Sequence, residues 1–516
     1  MRTSSSYLQS SFLVAASLLF GLFAGCGIDS TMFGSADMAN EGDNYYEPSS
    51  GSQSETASDG GSDTYGGTEK FGALAYNGFV KTTEDNLSTF GVDVDNGSYT
   101  FGRKKLNSGL LPPAASVRVE EYINYFRQHY TAPTDKPFSV AVSVAPSPFR
   151  GDSLHIMRIG IRGRDIDDDD GKPWNLTFLV DVSGSMRSRI DMVKRSLHML
   201  VDGMRNGDRI SICTYAGSVS TILTPTGITQ QDKETLKGII SEFEASGSTA
   251  MASGIQNAYT VNMSGFIEGG VNRIIVCSDG DANVGQTSHC EILKLIESYV
   301  DKGVTLSTLG FGLGNYNDNL MEQLADKGNG NYYYIDSDAE AKRLFTEELS
   351  GVMQVIAKDV KVQVEFNRHA VVRYRLIGYE NRDIADADFT KDTTNAGEIG
   401  AGHCVTALYE MELAEDADGQ MGVVHLRYQL PGGSEDIPFD VSIPGTILSS
   451  DTDAAARRLR FTVAVAEFAE LLRESPCAQS SLQAVESLVA QTYDSSDDRD
   501  TEFLGLVKKA RSISGE

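Results

Sequence analysis

From residue 174 to residue 336 the chain repeats one rhythm, a short apolar run followed by an amphipathic stretch of helical period. The apolar runs are "NLTFLVDV" (175–182), "RISICTYA" (209–216), "RIIVCSDG" (273–280), "VTLSTLGFGL" (304–313) and "NYYYID" (331–336). Between them lie helical patterns such as "RIDMVKRSLHMLVDGM" (189–204) and "CEILKLIESYVDKG" (290–303). Strands that are apolar on both faces must be covered on both faces, and helical crossovers supply the cover. The expected fold class is therefore α/β, with a doubly wound, mainly parallel sheet over residues 173–355.

In such a sheet, ligands bind beyond the carboxyl ends of the strands. There the stretch "FLVDVSGSMRSR" (178–189) stops being apolar: Asp181, Ser183 and Ser185 alternate with Val182 and Gly184, and a basic helix start follows. Two further segments end in oxygen-bearing side chains. Asp279 follows the strand of "RIIVCSDGDANVG", and Thr249 lies in the Gly/Ser loop "ASGSTAMASGI" (245–255) before a helix. Two carboxylates and three hydroxyls form a hard donor set, suited to Mg²⁺, Mn²⁺ or Ca²⁺ rather than to zinc or copper. A simpler reading is that the Asp-x-Ser-x-Ser run only caps the next helix. That reading leaves Thr249 and Asp279 unexplained.

"DVSGSM", the Thr249 loop and "SDG" together resemble the metal-ion-dependent adhesion site of von Willebrand factor type A domains. The resemblance implies that Asp181, Ser183, Ser185, Thr249 and Asp279 hold one divalent ion. It also implies a protein partner that completes the ion's shell with a Glu or Asp. The flanks extend the likeness. Residues 86–126, "AKDVKVQVEFN" (357–367) and the stretch from Tyr374 to Leu413 resemble bacterial YfbK-type lipoproteins, which carry a family-specific region on each side of the A domain. The resemblance implies an α+β region over 71–172 and a β-rich, then helical, region over 356–516. It implies binding and no reaction.

The N-terminus reads as a targeting segment. The apolar stretch "FLVAASLLFGLF" (12–23) is too short to span a bilayer, which takes roughly 20 residues, and it ends in Ala24-Gly25-Cys26. This resembles a bacterial lipoprotein signal over residues 1–25, with lipidation of Cys26 and anchoring in the cell envelope. Gly27 after the cysteine favours the outer membrane under the enterobacterial sorting rule. Residues 26–70, rich in Ser, Gly and Asp, read as a flexible tether with a reach of roughly 35–40 Å.

Composition and motif searches narrow the function. A net charge of -28 argues against nucleic acid as a partner. Five cysteines besides Cys26 make no disulfide framework and no CxxC pair. Cys213 and Cys277 fall inside strands, which the resemblance to von Willebrand factor type A domains implies lie on either side of the first one. No HExxH, GxSxG or Walker loop occurs. "DGDANVG" (279–285) fails as an EF-hand loop, because Val284 stands at its Gly position and Cys290 at its twelfth. His403 reads as a satisfied structural histidine, and Asp93 and Asp95 as a polar strand end. No catalytic residue is assigned and no enzyme activity is expected. The other readings are a metal-dependent hydrolase and an envelope scaffold indifferent to metal.

Overall fold

The structure is a computed structural model describing residues 71, 75–166, 171–281, 286–312, 317–391, 396–415, 417, 419–433, 435–445 and 454–516. The signal segment, Cys26, the tether, Asn283 and Val284 lie outside the described residues, as does most of the acidic run 165–171. The N-terminal flank supplies β1 (Val80–Lys81), β2 (Leu87–Gly91), α1 (Gly97–Asn107), α2 (Val119–Asn124), β3 (Phe138–Ser147) and β4 (Gly151–Gly163). The central stretch begins with β5 (Trp174–Asp181), α3 (Ile190–Gly203), β6 (Arg209–Tyr215), β7 (Val219–Gly227), α4 (Asp232–Ser241) and α5 (Met251–Ser264). It continues with β8 (Val271–Ser278), α6 (Gln286–Val300), β9 (Val304–Phe311), α7 (Asp318–Lys327), β10 (Tyr332–Ile335), α8 (Asp338–Lys342) and α9 (Leu349–Met353). The C-terminal flank adds β11 (Val355–Phe366), β12 (Val371–Ile377), β13 (Ile399–Gly400), β14 (Cys404–Leu413), β15 (Gly422–Gln429) and β16 (Ile437–Ile443). Three helices follow, α10 (Ala454–Leu472), α11 (Leu482–Thr492) and α12 (Asp498–Ser514).

The central sheet has the order β10-β9-β8-β5-β6-β7. All its pairings are parallel except β6 with β7, which is antiparallel. All eight residues of β5 are buried, as a middle strand covered on both faces requires. Phe178 and Val180 pack with α3 residues such as Val193 and Leu197 on one face, while Leu179 packs with Ile255 and Tyr259 of α5 on the other. The doubly wound α/β fold follows directly. β6 and β8 flank β5, with Cys213 opposite Leu179 and Cys277 opposite Val180.

The two flanks share their sheets. One sheet runs β1-β12-β14-β4-β3, so the C-terminal flank's β12 and β14 lie between β1 and β4 of the N-terminal flank, and β2 from the N-terminal flank pairs with β11 from the C-terminal one. Their faces share a core that includes Phe90, Met157, Val362 and Tyr409. Helices α1, α2 and α10–α12 bury a second apolar cluster around Phe126, Phe461 and Phe503. The central α/β unit is thus inserted between β4 and β11 of a structure that the flanks build together. Arginines tie the two parts: Arg103 bridges Asp336 at 2.7 Å and Glu340 at 2.8 Å, Arg118 bridges Asp318 at 2.8 Å, and Arg382 bridges Asp326 at 2.9 Å.

Candidate metal centre

Asp181 is the last residue of β5 and is fully buried. Its Oδ1 accepts from the backbone N–H of Ser183 at 2.9 Å, and its Oδ2 accepts from the Ser278 hydroxyl at 2.9 Å. An Asp bonding the backbone two residues on makes a local turn that ends the strand. Asp279, just past β8, repeats the device: its Oδ1 accepts from the backbone N–H of Asp281 at 3.0 Å. Two strand ends therefore place a buried carboxylate at the same edge of the sheet, because β5 and β8 are paired in parallel register.

The hydroxyl oxygens of Ser183 and Ser185 lie 3.0 Å apart. Ser183 precedes a 3₁₀ turn over Gly184–Ser188, and α3 starts only after Arg189; among the described residues neither Ser183 nor Arg189 makes a side-chain cap bond. The helix-cap account of the Asp-x-Ser-x-Ser run is thereby removed.

The loop carrying Thr249 is stitched to the first loop by two backbone bonds. Gly184 N–H donates to Gly247 O at 3.0 Å, and Ser246 N–H donates to Val182 O at 2.7 Å. Gly247 sits at φ +87°, a conformation that favours glycine. Thr249 is half-buried, two residues beyond Gly247 and two before α5. Named contacts thus gather Asp181, Ser183, Ser185 and Asp279, while Thr249 is brought up by its loop.

Burial raises the pKa of Asp181, with the bonds from Ser183 and Ser278 offsetting part of the rise and the charge of Asp279 adding to it. Burial also raises that of Asp279, against the Asp281 N–H, the Arg189 guanidinium and the Ser185 hydroxyl. Arg189 Nη1 donates to Asp279 Oδ2 and, at 3.1 Å, to the carbonyl of Ser185. Among the described residues, no three His, Cys, Asp or Glu side chains gather to hold a metal. The site instead combines two carboxylates with hydroxyls, a hard-oxygen set that fits Mg²⁺, Mn²⁺ or Ca²⁺ and not a thiolate or imidazole centre.

Sequence reasoning passed over Ser278 and Arg189. Ser278 was visible as a hydroxyl next to Asp279. Arg189 read as an ordinary basic residue at a helix start. Elsewhere, Asp93 and Asp95 pair with Arg382 at 3.3 and 3.5 Å, and Asp95 also accepts from the N–H of Tyr332 at 3.0 Å, which is a structural role. His403 departs from expectation: its Nδ1 is buried with no hydrogen-bond partner among the described residues, and burial pulls its pKa down to about 4. Its ring packs where a Cβ on Gly351 would lie 2.5 Å away, so glycine makes room for it. Among the described residues all five cysteines are free. No helix of the described residues is long and apolar enough to cross a membrane.

Residues 175–348 match the von Willebrand factor type A domain family, and residues 66–157 match a family described as von Willebrand factor. Residues 351–513 match the family described as "Uncharacterized protein YfbK, C-terminal". The chain is 36% identical over 438 residues to YfbK of Escherichia coli K12, covering 79% of this chain and 75% of that protein. It is 26% identical over 211 residues to human inter-alpha-trypsin inhibitor heavy chain H3, spanning 39% of this chain and 23% of that one. Among solved structures, a von Willebrand factor type A protein from Catenulispora acidiphila superposes with a TM-score of 0.45 at 14% identity, covering 74% of this chain and 91% of that one. Domains of this type commonly mediate protein–protein interaction, and many of them do so through a divalent ion. On the extent of its match to YfbK, the chain belongs to the YfbK-type family of von Willebrand factor type A domain proteins.

Proposed function

We propose that the protein is an envelope-anchored lipoprotein that binds a protein partner through a divalent ion held by Asp181, Ser183, Ser185, Thr249 and Asp279. The observation that carries this reading is the convergence of two buried carboxylates and a pair of hydroxyls 3.0 Å apart at the ends of β5 and β8. When bound, the ion supplies an open coordination position for an anionic ligand. The chain's own residues do the rest. Ser183 N–H and Ser278 orient the Asp181 carboxylate, Asp281 N–H orients that of Asp279, and the Gly247 bond fixes the Thr249 loop beside them. A Glu or Asp on the partner matches that position. The charge of -28 would oppose an acidic partner at long range, but surface charges are screened beyond about 8 Å at physiological salt. A direct contact acts within that distance.

Binding fits better than nucleophilic hydrolysis, since among the described residues neither serine hydroxyl meets a histidine that could serve as base. Lipid on Cys26 would anchor the chain, and Gly27 after it favours the outer membrane. The test is partner capture from envelope extracts with Mg²⁺, with EDTA, and by Asp181→Ala with Mg²⁺. Capture confined to the first sample supports the reading. Equal capture in all three contradicts it and leaves a scaffold indifferent to metal.

A further inference from the structure

Arg189 extends from the start of α3 into the centre, with its side chain 11% exposed and the Asp279 side chain 0% exposed. The guanidinium spans the two loops, donating to Asp279 Oδ2 in one and to the Ser185 carbonyl in the other. Its path is built. Gly312, just past β9, has φ +99°, and a Cβ there would lie 1.8 Å from Arg189 Nε and 2.4 Å from its Cδ. Any other residue at 312 would bar the arm and strain the backbone. In this arrangement both oxygens of Asp181 and both of Asp279 already accept hydrogen bonds, and one of the two carboxylate charges is matched. A buried carboxylate without a counter-charge is costly, so the arginine lets the centre exist in a folded chain that holds no ion.

We infer that Arg189 is the built-in counter-cation of this centre, and that a divalent ion enters by exchange against its guanidinium. The inference rests on the metal-site reading above and adds what sets the ion's affinity. A charge-assisted hydrogen bond between Arg and carboxylate is among the stronger contacts in proteins, and it favours the ion-free form. The free energy that holds Arg189 on Asp279 is therefore subtracted from the binding of the ion. The intrinsic affinity of the oxygens exceeds what a titration of the intact protein reads.

The experiment is Mn²⁺ titration of the full chain, followed by the electron paramagnetic resonance signal of free Mn²⁺, for wild type, Arg189→Gln and Arg189→Lys. Arg189→Gln should bind Mn²⁺ about 10- to 100-fold more tightly than wild type, and Arg189→Lys, which keeps the charge, should stay nearer to wild type. A glutamine variant within about threefold of wild type, or weaker, overturns the exchange while leaving the metal site standing. Absence of Mn²⁺ binding in both wild type and Arg189→Gln overturns the metal-site reading itself. A second readout covers folding. Without ion, Arg189→Gln leaves Asp279 buried and uncompensated, so its Tm should fall, and added Mg²⁺ should raise that Tm by more than it raises the wild type's. If the variant does not fold alone, refolding in millimolar Mg²⁺ supports the exchange, and failure to refold contradicts it.

Discussion

The backbone N–H of Asn317 donates to the carbonyl of Asp279 at 3.2 Å, joining the loop after β8 to the start of α7. Gly280 makes the approach possible: it sits at φ +70°, and a Cβ there would lie 2.6 Å from the Asn317 carbonyl. The next residue, Asp318, accepts from Arg118 at 2.8 Å and from the Tyr332 hydroxyl at 2.6 Å. One short run of contacts thus leads from a candidate metal ligand to the N-terminal flank. The insertion is fastened close to its binding end.

Arg118→Ala should therefore cost about 3–5 kcal/mol, because it leaves buried Asp318 without its cation. Urea unfolding of the full chain reads this. A loss below about 1 kcal/mol would mean that the contact behaves like an exposed ion pair.

Stability should fall as pH rises past neutrality. Burial lifts Glu121 to about 8, outweighing Arg118, and lifts Glu120 to about 7, from an ordinary value of 4.5. Both carboxyls bind protons more tightly in the folded chain than in the unfolded one. Their contribution is present in full below about pH 4.5 and is lost as pH rises through 7 and 8. Glu348 works in a lower window: against the cost of its burial, Arg343 and Arg499 hold it at about 2. Urea midpoints at pH 6 and pH 9 should differ less in Glu121→Gln than in wild type. Equal slopes would remove Glu121 from the account.

The cysteines should respond by position. Cys213 and Cys277 lie on strands either side of β5 and are fully buried, while Cys290 is exposed. Two strand spacings are roughly 9–10 Å, beyond a disulfide's reach. Native alkylation should label Cys290 first and the buried pair only on unfolding. Mass mapping that found Cys213 bonded to Cys277 would contradict the strand order.

Cys26→Ala should give a protein that is unprocessed or released from the membrane fraction. Maturation and fractionation like wild type would refute the lipid anchor.

The sequence declared the middle of the fold better than its edges. β5 reads as a strand because burial on both faces leaves no polar residue before Asp181 except Asn175 and Thr177. β7 went unread: in "VSTILTPTG" most residues are exposed, only Val219, Leu223 and Pro225 are half-buried, and Pro225 lies inside, which is how an edge strand looks. β16, "IPFDVSI", is an edge of the same kind. The sharing of sheets between flanks is non-local. Ile159 of β4 pairs with Ala407 of β14, some 250 residues on, and no local period records that. In the candidate site the oxygen donors were legible by spacing. Arg189 was not, since "MRSRI" has the composition of a solvated helix start and only the fold turns its arm inward.

The central claim is that these oxygens bind one divalent ion. Isothermal titration of Mg²⁺ into the purified full chain, wild type against Asp181→Ala and Asp279→Ala, tests it most directly, with a thermal melt of each to confirm folding. The account predicts one equivalent bound by wild type and none by either folded variant. No binding by wild type, or the same isotherm for all three, would contradict it.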